Sequence, residues 1–123
     1  MNMKLELVPL PVSDVEESLA FYTEKVGFHL DHDVQPGNGM RIIQLTPPGS
    51  ACSIVFGTGM GSSNTPGSIQ NLHLVVDDIT AARQQLANNG VEISDVQDMG
   101  GVLYAYFADP DGNSWALQQI PAR

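Results

Sequence analysis

Apolar and polar positions along the chain fall into short alternating runs and helical stripes, in an order that occurs twice. Lys4–Leu10 alternates and carries Leu5, Leu7, Val8 and Leu10, the pattern of a half-buried strand. Ser13 or Asp14 then supplies an N-cap, and Ser13 with Glu16 three residues later fits a capping box. Val15, Leu19, Tyr22 and Val26 follow at helical spacing as one apolar stripe. Gly27 suits the left-handed position just past a helix end. Phe28–Val34, Met40–Thr46 and Ala51–Phe56 read as three strands, parted by turns at Gln35-Pro36-Gly37-Asn38-Gly39 and Pro47-Pro48-Gly49. The plan then repeats. Leu72–Val76 is a strand, Asp78 an N-cap, and Ile79, Ala82 and Leu86 a helical stripe closed by Asn89-Gly90. Val91–Val96, Val102–Ala108 and Ser114–Ile120 supply three more strands.

The register of the repeat holds residue by residue. Val12-Ser13-Asp14 corresponds to Val76-Asp77-Asp78 at an offset of 64, and Gly27 to Gly90 at 63. Thr46-Pro47-Pro48-Gly49-Ser50 corresponds to Asp109-Pro110-Asp111-Gly112-Asn113, again at 63. A period of this size carrying a βαβββ unit means two tandem copies of one module in an α+β protein, rather than a solenoid of short repeats. Module one spans 1–57 and module two 69–123, and the Gly-, Ser-, Asn- and Pro-rich stretch 58–68 is the linker.

Composition narrows the partners. The chain has 123 residues, 42% hydrophobic and 15% charged, the make-up of a globular protein. No run of 18 apolar residues is present, and the start lacks the apolar stretch of a signal peptide, so a cytoplasmic location is expected. The net charge of −9 disfavours nucleic acid and anionic membranes, which need a basic surface, and would steer a cationic molecule inward. Cys52 is the sole cysteine, which excludes an internal disulfide and cysteine-based metal clusters.

Several constellations resemble functional motifs and fail on spacing. Gly57-Thr58-Gly59-Met60-Gly61 lacks the glycine that a nucleotide fingerprint needs at position 62, which is Ser62. Asp109 and Asp111 suggest a calcium loop, yet its twelfth position is Ile120 where a bidentate Glu is required. In His29-Leu30-Asp31-His32-Asp33, strand alternation turns His29, Asp31 and Asp33 one way and His32 the other, so one site cannot use both histidines. Cys52 and Trp115 are expected in the core on the helix-packing side.

Pro11-Val12-Ser13-Asp14 with Ser18-Leu19-Ala20-Phe21-Tyr22, Val75-Val76-Asp77-Asp78-Ile79 with Ala81-Ala82-Arg83, and the ending Phe107-Ala108-Asp109-Pro110-Asp111-Gly112-Asn113 together resemble the vicinal oxygen chelate superfamily. That group includes glyoxalase I, extradiol dioxygenases, fosfomycin-modifying enzymes and bleomycin-resistance proteins. The resemblance implies curved mixed sheets around a cavity, helices on the convex side, and a homodimer. It also implies where a metal would sit: seven residues before the Asp that opens each helix, at Leu7 and Asn71, and on the last strands at Ala116 and, by the repeat, Ser53. Leucine and alanine have no donor atom, and serine and asparagine are weak ligands, so the metal site is read as absent and no cofactor is expected. His73 would become a ligand only with a register change of two.

Strand parity gives the pocket. Asn71 and His73 share a face, Ser53 and Gln118 sit on the matching last strands, and Tyr104 and Tyr106 turn to the cavity because Phe107 fits the core. Ser53, Asn71, His73, Tyr104, Tyr106 and Gln118 are the candidate ligand-binding residues, a set suited to a planar, aromatic or cationic small molecule. The expected function is metal-independent binding of a drug or metabolite, similar to the bleomycin-resistance branch. The alternatives are a glyoxalase- or dioxygenase-like enzyme with an atypical metal site near His73, and an interaction module with a vestigial pocket. Whether any reaction is catalysed, the sequence leaves open.

Overall fold

The computed structural model describes residues 1–61 and 64–121; Ser62, at the failed nucleotide fingerprint, lies outside the described residues. Two four-stranded sheets of the same topology carry the chain. The N-terminal sheet has the order β1-β4-β3-β2, from β1 (Leu7–Pro9), β2 (His29–Gly37), β3 (Met40–Thr46) and β4 (Ser53–Thr58). The C-terminal sheet has the order β5-β8-β7-β6, from β5 (Leu72–Val75), β6 (Gln97–Met99), β7 (Val102–Ala108) and β8 (Ser114–Gln119). In each, the first strand runs parallel to the last and the remaining neighbours are antiparallel. The crossovers are α1 (Val15–Ala20, continuing as π-helical turns over Phe21–Val26) and α2 (Ile79–Asn88).

One face of each sheet packs on the helices. Ile43, Leu45, Ile54 and Phe56 of the N-terminal sheet and Ala105, Phe107, Trp115 and Leu117 of the C-terminal sheet are buried in one core with Tyr22, Phe28, Ile79 and Leu86. Both modules therefore share a single apolar interior, which a domain of this size needs in order to bury enough surface. Trp115 lies there as expected. Cys52 does not: it precedes β4, half-exposed, with its amide donating to Ser50 Oγ at 3.1 Å.

Three local readings are corrected. Asp14, not Ser13, caps α1, accepting from the Glu17 amide at 3.1 Å, while Ser13 donates instead to Asp111 of the other module. The helical stripe gains Phe21, because the π turns let both Phe21 and Tyr22 point inward; the Gly27 amide reaches the Tyr22 carbonyl at 2.9 Å. Val91–Val96 is not a strand. It keeps a single antiparallel bridge to β7, Ile93 with Phe107, and the Ser94 amide donates to the Tyr106 carbonyl at 2.9 Å, while Arg83 donates to the carbonyls of Ser94 (2.7 Å) and Ile93 (3.3 Å). The strand lies further on, at Gln97–Met99, joined to β7 by Gly100-Gly101, both at positive φ.

A buried polar network ties the modules together. Asp109 Oδ1 accepts from the amides of Asp111 and Asn113, both at 2.9 Å, and Oδ2 accepts from Tyr22 Oη (2.8 Å) and Asn113 Nδ2 (2.9 Å). Trp115 Nε1 donates to Tyr22 Oη at 2.9 Å, and Asn113 Nδ2 also donates to the Pro11 carbonyl at 2.9 Å. Burial, with the Asp109 carboxylate alongside, drives the Tyr22 hydroxyl well above the ordinary tyrosine value of 10.0.

Replacing Tyr22 with Phe strands the Trp115 donor and leaves Asp109 Oδ2 with Asn113 Nδ2 as its remaining donor, and should cost about 1–3 kcal/mol in urea unfolding. Because the folded chain holds the Tyr22 proton that the unfolded chain releases, wild-type stability should be complete below pH 10.0 and fall above it. Tyr22→Phe should lose less stability than wild type between pH 9 and 11, both about these values. Equal slopes would remove Tyr22 as the group responsible.

Candidate functional site

Each sheet has a second face that carries no helix. On the C-terminal sheet, alternation places His73, Tyr104, Tyr106, Ala116 and Gln118 there, since Leu74, Ala105, Phe107, Trp115 and Leu117 serve the core. Asn71, His73, Met99, Tyr104 and Tyr106 line a depression of about 310 Å³. The Tyr104 and Tyr106 rings lie parallel, 6° between planes and 6.1 Å between centroids. His73 stands edge-on to Tyr104 at 5.9 Å. Gln118 Nε2 donates to Tyr104 Oη at 3.1 Å, which fixes that ring and leaves its hydroxyl proton free. Asn71 adopts a left-handed φ of 60° at the strand entrance, and its amide is held by Ser114 Oγ at 2.7 Å.

Five of the six sequence-derived candidates are thus neighbours. Ser53 is not among them: it lies buried on the open face of the N-terminal sheet, opposite Leu7 and bonded to Thr46 Oγ1 at 2.6 Å. Met99 was missed, since the strand that carries it was placed too early. The Gly100-Gly101 pair was the available signal, because two consecutive glycines between extended residues mark a tight hairpin.

The reading of His29–Asp33 is also corrected. A β-bulge interrupts β2 between Leu30 and His32. His29 pairs with Thr46 and His32 with Gln44, both on the open face, and Asp31 turns there as well to meet Thr46 and Gln44. Asp33 goes to the helix side, where Arg41 grips it with two bonds (3.0 and 2.9 Å) and also binds Glu16. Those bonds from Arg41 hold the Asp33 carboxyl below the usual carboxylate range. The extra residue of the bulge reverses the alternation, so both histidines share one face.

Pairing also settles the register near His73. Leu7 lies opposite Ser53, but the residue opposite Ala116 is His73, not Asn71. The Leu10 amide bonds to Val55 and the Val76 amide to Gln118, equivalent positions of the two modules. From there the chain takes four residues to the Asp14 cap and only two to the Asp78 cap. Counting seven residues back from the cap therefore overshoots by two in module two, reaching Asn71 instead of His73.

With this geometry in view, the chain belongs to the Glyoxalase/Bleomycin resistance protein/Dioxygenase superfamily, whose family model matches residues 4–117. It is similar to TnmS3, described as an antibiotic binding protein from Streptomyces sp. CB03234, with 36% identity, a TM-score of 0.85 and 97% of each chain covered. A glyoxalase/bleomycin resistance protein from the same organism shares 37% identity at a TM-score of 0.81, covering 94% of this chain and all of that one. The uncharacterised Bacillus subtilis protein YetH is 24% identical over 97% of this chain and 100% of its own length.

Catalytic members of such a family imply a divalent metal held by one donor from each of four strands. Here the strand-paired positions are Leu7, Ser53, His73 and Ala116. Two have no donor atom, and one imidazole with a hydroxyl does not make a transition-metal site. Among the described residues no group of three or more His, Cys, Asp or Glu could hold a metal ion. The residues present do not fit the group.

His73 Nδ1 lies 2.7 Å from the Asn71 carbonyl, which can only accept. The neutral ring therefore carries its proton on Nδ1 and turns a bare Nε2 lone pair outward. Long-range nitrogen–proton NMR of the neutral imidazole should show Nδ1 protonated. A protonated Nε2 would refute the arrangement.

Proposed function

We propose that this protein binds a planar aromatic small molecule without a metal and sequesters it, as a bleomycin-resistance-type protein would. The observation that carries this reading is the pair of parallel tyrosines, Tyr104 and Tyr106, braced by Gln118 and flanked by His73 in an open depression. Flat aromatic faces with a few polar groups at their edge suit a stacking ligand. The likeness to an antibiotic binding protein at 36% identity supports the same reading. Asn71, His73, Tyr104, Tyr106 and Gln118 form the aromatic wall of the site in this proposal, and Ser53 belongs to the facing wall.

The facing wall comes from a second copy. Within one chain both helix-free faces stand open, and the apolar side chains Leu7, Val34, Val75 and Met99 are exposed. The edge strands β1 and β5 each have only one neighbour in their sheets. A homodimer that sets the N-terminal sheet of one copy against the C-terminal sheet of the other would cover these surfaces and close two equivalent cavities.

Sedimentation should give a dimer at micromolar concentration, and a monomer under those conditions would remove the closed cavity. A thermal-shift screen of planar aromatic antibiotics should yield stabilising ligands, with Tyr104→Ala and Tyr106→Ala each weakening the best by about tenfold while the fold persists. Failure of every aromatic ligand to stabilise the chain would refute the reading. Metal content after incubation with nickel, zinc, manganese and iron(II) should stay far below one ion per chain. A stoichiometric ion would instead favour an enzyme built around His73.

A further inference from the structure

The open face of the N-terminal sheet carries a carboxylate that the fold leaves unneutralised. The two acids of β2 are treated oppositely. Asp33, on the helix side, is held by the Arg41 guanidinium through two bonds. Asp31, re-aimed by the bulge, receives only a hydroxyl, an amide and a distant imidazole. Thr46 Oγ1 and Gln44 Nε2 both reach its Oδ2, and His29 Nε2 stands 3.7 Å from Oδ1. Among the described residues no Lys or Arg forms an ion pair with it. The side chain keeps 22% of its surface exposed, so a ligand can touch it.

Proton bookkeeping extends this polarity inward. A carboxylate has no proton to give, so Thr46 must donate its only one to Asp31. The 2.6 Å contact between Thr46 Oγ1 and Ser53 Oγ then requires Ser53 to donate to Thr46. Every hydroxyl proton of the row is spent in the direction of Asp31. What remains is lone pairs: Oδ1 of the part-exposed Asp31 and, behind it, the oxygen of the buried Ser53. A ligand acceptor such as a carboxylate or phosphate finds no donor in this row, whereas a cationic N–H finds a charged acceptor backed by ordered dipoles.

We propose that the Asp31–Thr46–Ser53 row is a recognition subsite for a protonated amine or amidine carried by the aromatic ligand. The inference rests on the aromatic-binding reading above, since the tyrosine wall supplies the stacking half of the same cavity. Asp31 acts as the specificity-determining residue and selects the charge of the ligand. Thr46 and Ser53 are positioning residues that hold the carboxylate in place and fix the polarity of the row.

The test uses three isosteric probes on the full chain: 1-naphthylmethylamine, 1-naphthylmethanol and 1-naphthoate, followed by NMR titration. The wild type should show shifts at Tyr104 and Tyr106 with all three. The amine should bind about tenfold more tightly than the alcohol, as a charge-assisted bond implies, and the carboxylate most weakly. Only the amine should shift Asp31 and Thr46. Asp31→Asn keeps an oxygen for Thr46 and should reduce the amine preference to about threefold or less. Equal affinity of amine and alcohol for the wild type overturns the subsite and leaves the aromatic reading standing; that comparison needs no variant to fold. A preference that survives Asp31→Asn would assign the selection to the general charge of −9 and also overturns it. Probes that shift neither tyrosine refute the aromatic reading, and the subsite with it.

Discussion

The fold hangs on one buried carboxylate. Asp109 sits in the Asp109-Pro110-Asp111-Gly112-Asn113 turn between β7 and β8, and both of its oxygens are fully used. Two bonds shape the turn itself, and the Tyr22 bond crosses to the helix of the other module. Asn113 reaches back to the Pro11 carbonyl and receives the Ile69 amide at 3.1 Å, so the linker end and the first crossover are fixed by the same turn. A carboxylate taken from water is costly unless every lone pair is met. That requirement locks the position of Tyr22, and with it Trp115, Phe28 and Phe56, whose rings pack around it at 5.4–6.0 Å.

Joining the modules through their helix side has a consequence for function. All the aromatic and aliphatic bulk of the interior goes to one face of each sheet, and the other face is left to polar groups, tyrosines and scattered apolar side chains. The two open faces then differ in character. The C-terminal one offers flat rings with a bare imidazole nitrogen; the N-terminal one offers a carboxylate and hydroxyls whose protons already point toward it. Duplicated modules have diverged in what their open faces carry, and two of the positions where a catalytic relative would place metal donors hold Leu7 and Ala116.

Much of this was legible in the chain. The period of about 63 residues, the strand–helix–strand order and the inward Phe107 with outward Tyr104 and Tyr106 follow from alternation alone, because side chains on a strand must take opposite faces. The same rule failed where the backbone breaks its own period. The bulge after Leu30 put both histidines on one face, and the π turns at Phe21–Val26 brought adjacent aromatics inward. Neither leaves a mark in residue spacing, since each inserts a residue without a glycine or proline to announce it. The two-residue difference between strand and cap was likewise invisible until the ladders were paired, and it moved His73 into the place assigned to Asn71.

The sequence by itself determined the duplicated module, the family and the lack of donors at two of the four metal positions, since these depend on residue type and on spacing within one element. Tertiary structure alone decided which side chains meet across elements: Asp109 with Tyr22, Asp33 with Arg41, Asp31 with Thr46 and then Ser53. Those pairings join residues far apart in the chain, and which acid receives a cation and which does not is set by the face each one reaches. Two aspartates two residues apart on one strand carry the same chemistry in sequence. Only the bulge between the strand's first residues and Asp33 gives one a guanidinium and leaves the other open.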